Sequence, residues 1–208
     1  MKKLLKSCAF VLIAALMLSC VACKHGGKET QKSDYAVWSE LSHVIVMQEI
    51  DYNAKSKPAA TFGVSAARGE YEAAQIIISA GTTDVKNYTI EISDLKSTSD
   101  ASKVISADYI DVYNEKYIEV SGSRYKDSIG LGFYPDALLP FDTAVEYGEN
   151  NVKAGKNQGI YIAVFIPRTA AAGEYTGTFK LTVDGNVHSI PASVNVWDFE
   201  VSKERNYR

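Results

Sequence analysis

Few side chains in this sequence lie at spacings that could do chemistry. Glu70 and Glu72 are two residues apart. A strand starting at Gly69 would put both carboxylates on one face. Two carboxylates about 5–9 Å apart can divide acid–base work at a glycosidic bond. No third group stands at motif spacing to polarise a substrate, and Arg68 offers Glu70 a local ion pair, so the pair reads as structural. Asp136 lies between Pro135 and Ala137 and could ligate a metal or act as a base. An Asp after Pro usually caps a turn through its side-chain oxygen, and the sequence has no Asp-x-Asp-x-Asp-Gly calcium loop. His43 and His188 have no Ser or Cys partner at motif spacing, and no Gly-x-Ser-x-Gly elbow is present. The sequence nominates no catalytic residue, no metal site and no cofactor.

A binding surface is better supported. In Tyr109–Val120, strand spacing puts Tyr109, Asp111, Tyr113, Glu115, Tyr117 and Glu119 on one face. Flat aromatic rings take the C–H faces of pyranoses, and carboxylates take the hydroxyls. Tyr109, Asp111, Tyr113 and Tyr117 are therefore the candidate carbohydrate-binding residues. The competing reading is a tyrosine-rich strand packed under a loop or against a neighbouring domain. A turn near Asn114 is expected to split the segment into two strands.

The elements that must carry these residues are strands. Ile160, Ile162, Val164 and Ile166 alternate with Tyr161, Ala163 and Phe165. Both faces are apolar, which predicts a central strand covered on both sides and ended by Pro167. Tyr175, Phe179, Leu181 and Val183 share a face opposite Thr176, Thr178, Lys180 and Thr182, a half-buried strand. Asp184-Gly185 supplies a tight hairpin turn, and Ile190, Ala192, Val194 and Val196 line the return. Gln75–Ile78 reads as a second strand apolar on both faces, preceded by a break at Arg68-Gly69-Glu70. Further strands are expected over Ser42–Gln48 and Tyr88–Ile92. Phe133–Pro140 reads as irregular because of its prolines. Thr143–Gly155 reads as loop, with a short strand at Ala144–Tyr147. Many short strands separated by turn signals predict an all-β chain, an antiparallel β-sandwich of Ig-like or jelly-roll-like kind.

Lys2, Lys3 and Lys6 precede an apolar run from Ser7 to Ser19, with small residues at Ser19 and Ala22. This three-part layout is that of a secretory signal peptide. All three cysteines, Cys8, Cys20 and Cys23, fall in this leader, so the rest can form neither a disulfide nor a thiolate metal site. LMLSCVACK resembles the lipobox of bacterial lipoproteins, which implies lipidation at Cys20 or Cys23 and an exported protein held on a membrane or cell surface through its acyl chains. The expected organisation is a leader over 1–23, a flexible tether over 24–34, a sandwich over 35–202 and the start of a linker over 203–208. Without the leader's three lysines, 19 basic and 25 acidic residues remain, a net charge of −6. There is no basic stripe to follow a phosphate backbone, which argues against nucleic acid as a partner.

Six phrases in order carry a family resemblance. They are Ala67-Arg68-Gly69-Glu70-Tyr71-Glu72-Ala73-Ala74-Gln75, Tyr134-Pro135-Asp136-Ala137-Leu138 with Pro140, and Asn157-Gln158-Gly159-Ile160-Tyr161, followed by Ile166-Pro167, Ala172-Gly173-Glu174-Tyr175-Thr176-Gly177 and Val196-Trp197-Asp198-Phe199. Together they resemble the N-terminal β-sandwich of glycoside hydrolase family 123 and its relatives, from about Val37 to Val201. The resemblance implies a following (β/α)8 barrel with an adjacent Asp-Glu pair, where the sugar's own acetamido group attacks in a retaining mechanism. In family 123 itself the substrate is a β-linked N-acetylgalactosaminide. Neither the barrel nor an adjacent Asp-Glu pair in either order occurs in these 208 residues. The expectation is therefore a non-catalytic accessory domain of a hydrolase acting on amino-sugar glycans. Its partners would be the barrel, met through Trp197, and a glycan. The alternative is a stand-alone cell-surface carbohydrate-binding lipoprotein.

Overall fold

The computed structural model describes residues 34–122 and 130–204. The predicted leader and lipidation positions, Cys20 and Cys23, lie outside them. In chain order the strands are β1 Tyr35–Leu41, β2 Phe62–Arg68, β3 Tyr71–Ala80, β4 Tyr88–Glu91, β5 Leu95–Ser97, β6 Val104–Ile105, β7 Ile110–Val120, β8 Gly132–Pro140, β9 Asn157–Phe165, β10 Gly173–Val183 and β11 Asn186–Glu200. Among the described residues one α-helix, α1, spans Phe141–Glu146. The fold is an all-β sandwich. Its first sheet runs β1-β3-β9-β7-β8 with every pair antiparallel. The second runs β2-β11-β10-β5-β6, with β4 also on β10 and with β2 parallel to β11.

Alternation explains how the sheets meet. Ile76 and Ile78 of β3 and Ile160, Ile162 and Val164 of β9 point inward and are fully buried. They meet Phe179, Leu181, Ile190, Val194 and Val196 of β10 and β11 in one core. Each such side chain contributes about 1.5–3 kcal/mol through burial. The β10–β11 turn forms as predicted: Asp184 and Gly185 both have positive φ, 47° and 81°. The Asp184 carboxylate also accepts from the backbone N–H groups of Lys86 and Asn87.

Four local expectations are corrected. Residues 110–120 form one unbroken strand, and Asn114 makes no turn: it faces inward, 2% exposed, and accepts a hydrogen bond from the Tyr88 hydroxyl across the core. Phe133–Pro140 is not irregular but lies in edge strand β8, where prolines are tolerated because one side has no partner to receive an N–H. Asp136 caps no turn. It is the extra, exposed residue of a bulge between Pro135 and Ala137, which pair with Tyr117 and Lys116. In place of a strand at Ala144–Tyr147 there is α1, which starts after Pro140 and buries Phe141 and Ala144 three residues apart.

Ser42–Gln48 is also not a strand. With the residues to Ser56 it forms a strap over the outer face of the first sheet. Val46 is buried on Trp38 and Ile77, and Val44, Tyr52 and Ala54 pack around them. Amide side chains replace the missing ladder. Gln75 Nε2 donates to the carbonyls of Leu41 and Val44, and Asn157 Nδ2 donates to those of Met47 and Ile50. The Met47 N–H donates to the Tyr52 hydroxyl at 2.9 Å.

Candidate functional site

The outer face of the first sheet carries the tyrosines, and cross-strand register sets them in rows. Tyr71 of β3 pairs with Phe165 of β9, and the Tyr109 ring, just before β7, lies 6.1 Å from that of Phe165. The next outward row is Ala73, Ala163 and Asp111. The third is Gln75, Tyr161 and Tyr113. Beyond it come Ile77, Gly159 and Glu115, in the half that the strap covers. Tyr109, Asp111, Tyr113 and Tyr117 thus share a face, but not one environment. Tyr109 and Asp111 are exposed, Tyr113 is half-buried and Tyr117 is buried.

The covered half is unusually polar underneath. Glu115 is 4% exposed, and burial pushes its carboxyl up to about 7. Its Oε2 and the Oε1 of Gln75 are buried without a hydrogen-bond partner among the described residues. Burial also raises the Tyr117 phenol. Tyr117 is thus set apart from the exposed Tyr109 and Asp111 by its burial.

The open half holds more aromatic surface than the sequence indicated. Tyr71 is 60% exposed and Tyr109 43%. The Tyr71 and Phe165 rings stand 4.9 Å apart and tilted by 43°. Strand β9 was expected to be covered on both faces, yet its outer face is covered only toward Gly159 and is open toward Phe165. Tyr71, Tyr161 and Phe165 were not nominated from sequence. The available signal was Tyr161 and Phe165 four residues apart, opposite the isoleucine face.

A second exposed apolar feature lies at the end of β11. The Trp197 and Phe199 rings stack 5.6 Å apart at 15°, 43% and 53% exposed. The chain beyond is pinned beside the β2–β3 corner. Arg68 pairs with Asp198 at 3.2 Å, the Val201 N–H donates to the Arg68 carbonyl, and Arg168 Nη1 donates to the Val201 carbonyl. Arg68 thus pairs across the sheet with Asp198, while Glu70 accepts from the Ala67 N–H at 2.7 Å. Among the described residues Glu70 and Glu72 join no third His, Cys, Asp or Glu side chain. His188 is not solvent-facing as a free ring: its Nε2 lies 2.8 Å from the Tyr35 hydroxyl, and burial lowers its pKa. His43 is exposed in the strap. Among the described residues no three His, Cys, Asp or Glu side chains gather as a metal site.

Residues 46–183 match the family model described as the glycoside hydrolase 123 N-terminal domain. The chain belongs to that family. Among solved structures, the sandwich is similar to a family 123 glycoside hydrolase from Clostridium perfringens, described for its hydrolysis of glycolipid glycans. The TM-score is 0.65 at 21% identity, over 80% of this chain and 28% of that one. The present family member therefore spans little more than a quarter of that protein's length. The SrpA adhesin of Streptococcus sanguinis aligns with a TM-score of 0.31 at 12% identity, over 78% of this chain and 58% of the adhesin. The CooA pilin subunit of enterotoxigenic Escherichia coli aligns with 0.35 at 13%, over 77% and 98%. Neither of these bears on function. No curated protein matches the chain.

Proposed function

We propose that this family 123 N-terminal domain is the non-catalytic accessory module of an exported, lipid-anchored hydrolase that acts on amino-sugar-containing glycans, with catalysis in a following barrel. The exit corner carries this reading. Trp197 and Phe199 form an exposed stacked pair beside a segment held by Arg68 and Arg168, an apolar surface suited to being covered by another domain. The sandwich would brace and orient the barrel through that pair.

The test is the size of the protein in the membrane fraction of its native cell, by immunoblot with an antibody to the sandwich and then intact mass. A species far larger than 22.7 kDa that turns over aryl β-N-acetylhexosaminides supports the reading. A species near 20 kDa plus lipid overturns it and favours the stand-alone carbohydrate-binding lipoprotein. Loss of the lipid mass on replacing Cys20 or Cys23 by Ala identifies the anchored cysteine.

A further inference from the structure

The outer face of the first sheet has the form of a trough where the strap ends. One wall is the row Tyr71, Phe165 and Tyr109, and the other is Tyr161 with Tyr113. Tyr161 and Phe165 are four residues apart on β9, so the walls stand about 13 Å apart along the strand. Between them the floor is Ala73 and Ala163, with Asp111 at one mouth. Small residues in the middle and large rings on either side make the depression.

No strand closes either end of the trough, and the sheet topology is the reason. Strand β1 pairs with β3 only from Ala74 onward, its last partner being Leu41. Strand β8 pairs with β7 only from Tyr113 onward. At the level of Ala73, Ala163 and Asp111 the sheet is therefore three strands wide, with no flanking strand to close either mouth. An open-ended trough takes the middle of a chain and does not require its terminus.

The chemistry of the lining selects the kind of chain. Of the outward positions on these rows, only Asp111 carries a charge. That disfavours an anionic polymer. Tyrosine rings offer apolar faces for C–H groups and hydroxyls for polar rims. The alanine floor lets a flat ring approach the backbone, and Asp111 accepts from hydroxyl or amide donors. Within one wall the rings of Tyr71 and Phe165 are tilted by 43° and those of Phe165 and Tyr109 by 49°.

We propose that this trough binds an internal stretch of a neutral glycan chain, with sugar rings on Ala73 and Ala163 between the two aromatic walls. The proposal deepens the accessory-module reading by giving the module a ligand contact of its own, apart from the exit corner at Trp197.

The test is calorimetric titration of the purified full chain with N-acetylchitooligosaccharides of two to six units and with cellohexaose. Affinity for at least one series rises with length and levels near three units, one for each of the three strands, which lie about 5 Å apart. Tyr71→Ala and Tyr109→Ala each weaken that binding about tenfold, the loss of one ring contact. Trp197→Ala, on the other sheet, leaves it unchanged. The proposal is overturned if the chain, folded by circular dichroism, binds neither series at millimolar concentration. Equal affinities for wild type and both tyrosine variants, or a loss with Trp197→Ala alone, also overturn it. It fails too if Tyr71→Ala releases the catalytic part of a longer protein and no glycan binds, because the face is then an interdomain surface. The titration uses this chain alone, so its failure leaves the mass and turnover test of the accessory reading untouched.

Discussion

The carboxylate of Glu115 lies on the backbone of Gly159, in the space a side chain there would occupy: a Cβ at position 159 would collide with its Oε2 and Cδ atoms. The contact joins β7 to β9 beneath the strap, at a buried spot where an acid is held near 4% exposure. The glycine makes room for the acid.

Stability should fall as pH rises from about 4.5 to about 7. Burial moves the Glu115 carboxyl from an ordinary 4.5 to about 7, so between those values the folded state binds more protons than the unfolded one. The penalty for ionising it begins above pH 4.5 and is complete above about 7. The shift corresponds to about 3 kcal/mol. Urea unfolding at pH 5 and pH 9 should show this loss in the wild type. In Glu115→Gln the contribution disappears, and that variant should be the more stable of the two at pH 9.

Gly159→Ala should destabilise the chain by about 1–3 kcal/mol, because the added methyl forces Glu115 out of its place or shifts β7 from β9. Thermal unfolding measures it. Combined with Glu115→Ala, the same substitution should be tolerated far better, since the colliding carboxylate is gone. Equal losses from Gly159→Ala in both backgrounds would place the strain elsewhere.

The Tyr88–Asn114 hydrogen bond crosses the core from the second sheet to the first. Tyr88→Phe removes the donor and leaves Asn114 Oδ1 buried without it, a loss of about 1–3 kcal/mol. Tyr88→Phe with Asn114→Leu removes both polar groups and should recover much of that loss. Denaturant midpoints of the two single variants and the double variant give the coupling.

Trp197→Ser should barely change the stability of this chain, because the indole is largely outside the core. It should reduce self-association, since the stacked Trp197–Phe199 pair is exposed apolar surface. Sedimentation velocity across a concentration series reads the difference. Unchanged association would mean that copies meet elsewhere.

Much of the inner architecture was legible in the amino acids. The alternation from Ile160 to Ile166, the two-faced apolar run at Gln75–Ile78 and the Asp184-Gly185 turn name the central strands and one hairpin directly, because side-chain period and turn chemistry are local. The misreadings share a cause. Asn114 looked like a break because its partner, Tyr88, is 26 residues away in the chain. The prolines of Phe133–Pro140 looked disruptive because edge position is a property of the sheet. Val44, Val46 and Met47 looked like a strand because apolar composition does not reveal whether a segment pairs through its backbone or lies across a face.

The candidate site divides along the same line. The sequence by itself determined that Tyr109, Asp111, Tyr113 and Tyr117 project from one face, because a strand alternates with a period of two. It also determined that no adjacent Asp-Glu pair and, beyond Cys23, no thiolate is available, because those are matters of composition. Only the tertiary structure decided which tyrosines meet solvent. Gln75 and Asn157 hold the strap over Glu115 and Tyr117 through hydrogen bonds to residues 31 to 110 positions away. Strands β1 and β8 stop short of Ala73 and Asp111, which leaves Tyr71, Phe165 and Tyr109 open. Where a strap is anchored and where a neighbouring strand ends depend on distant partners, and no local pattern encodes them.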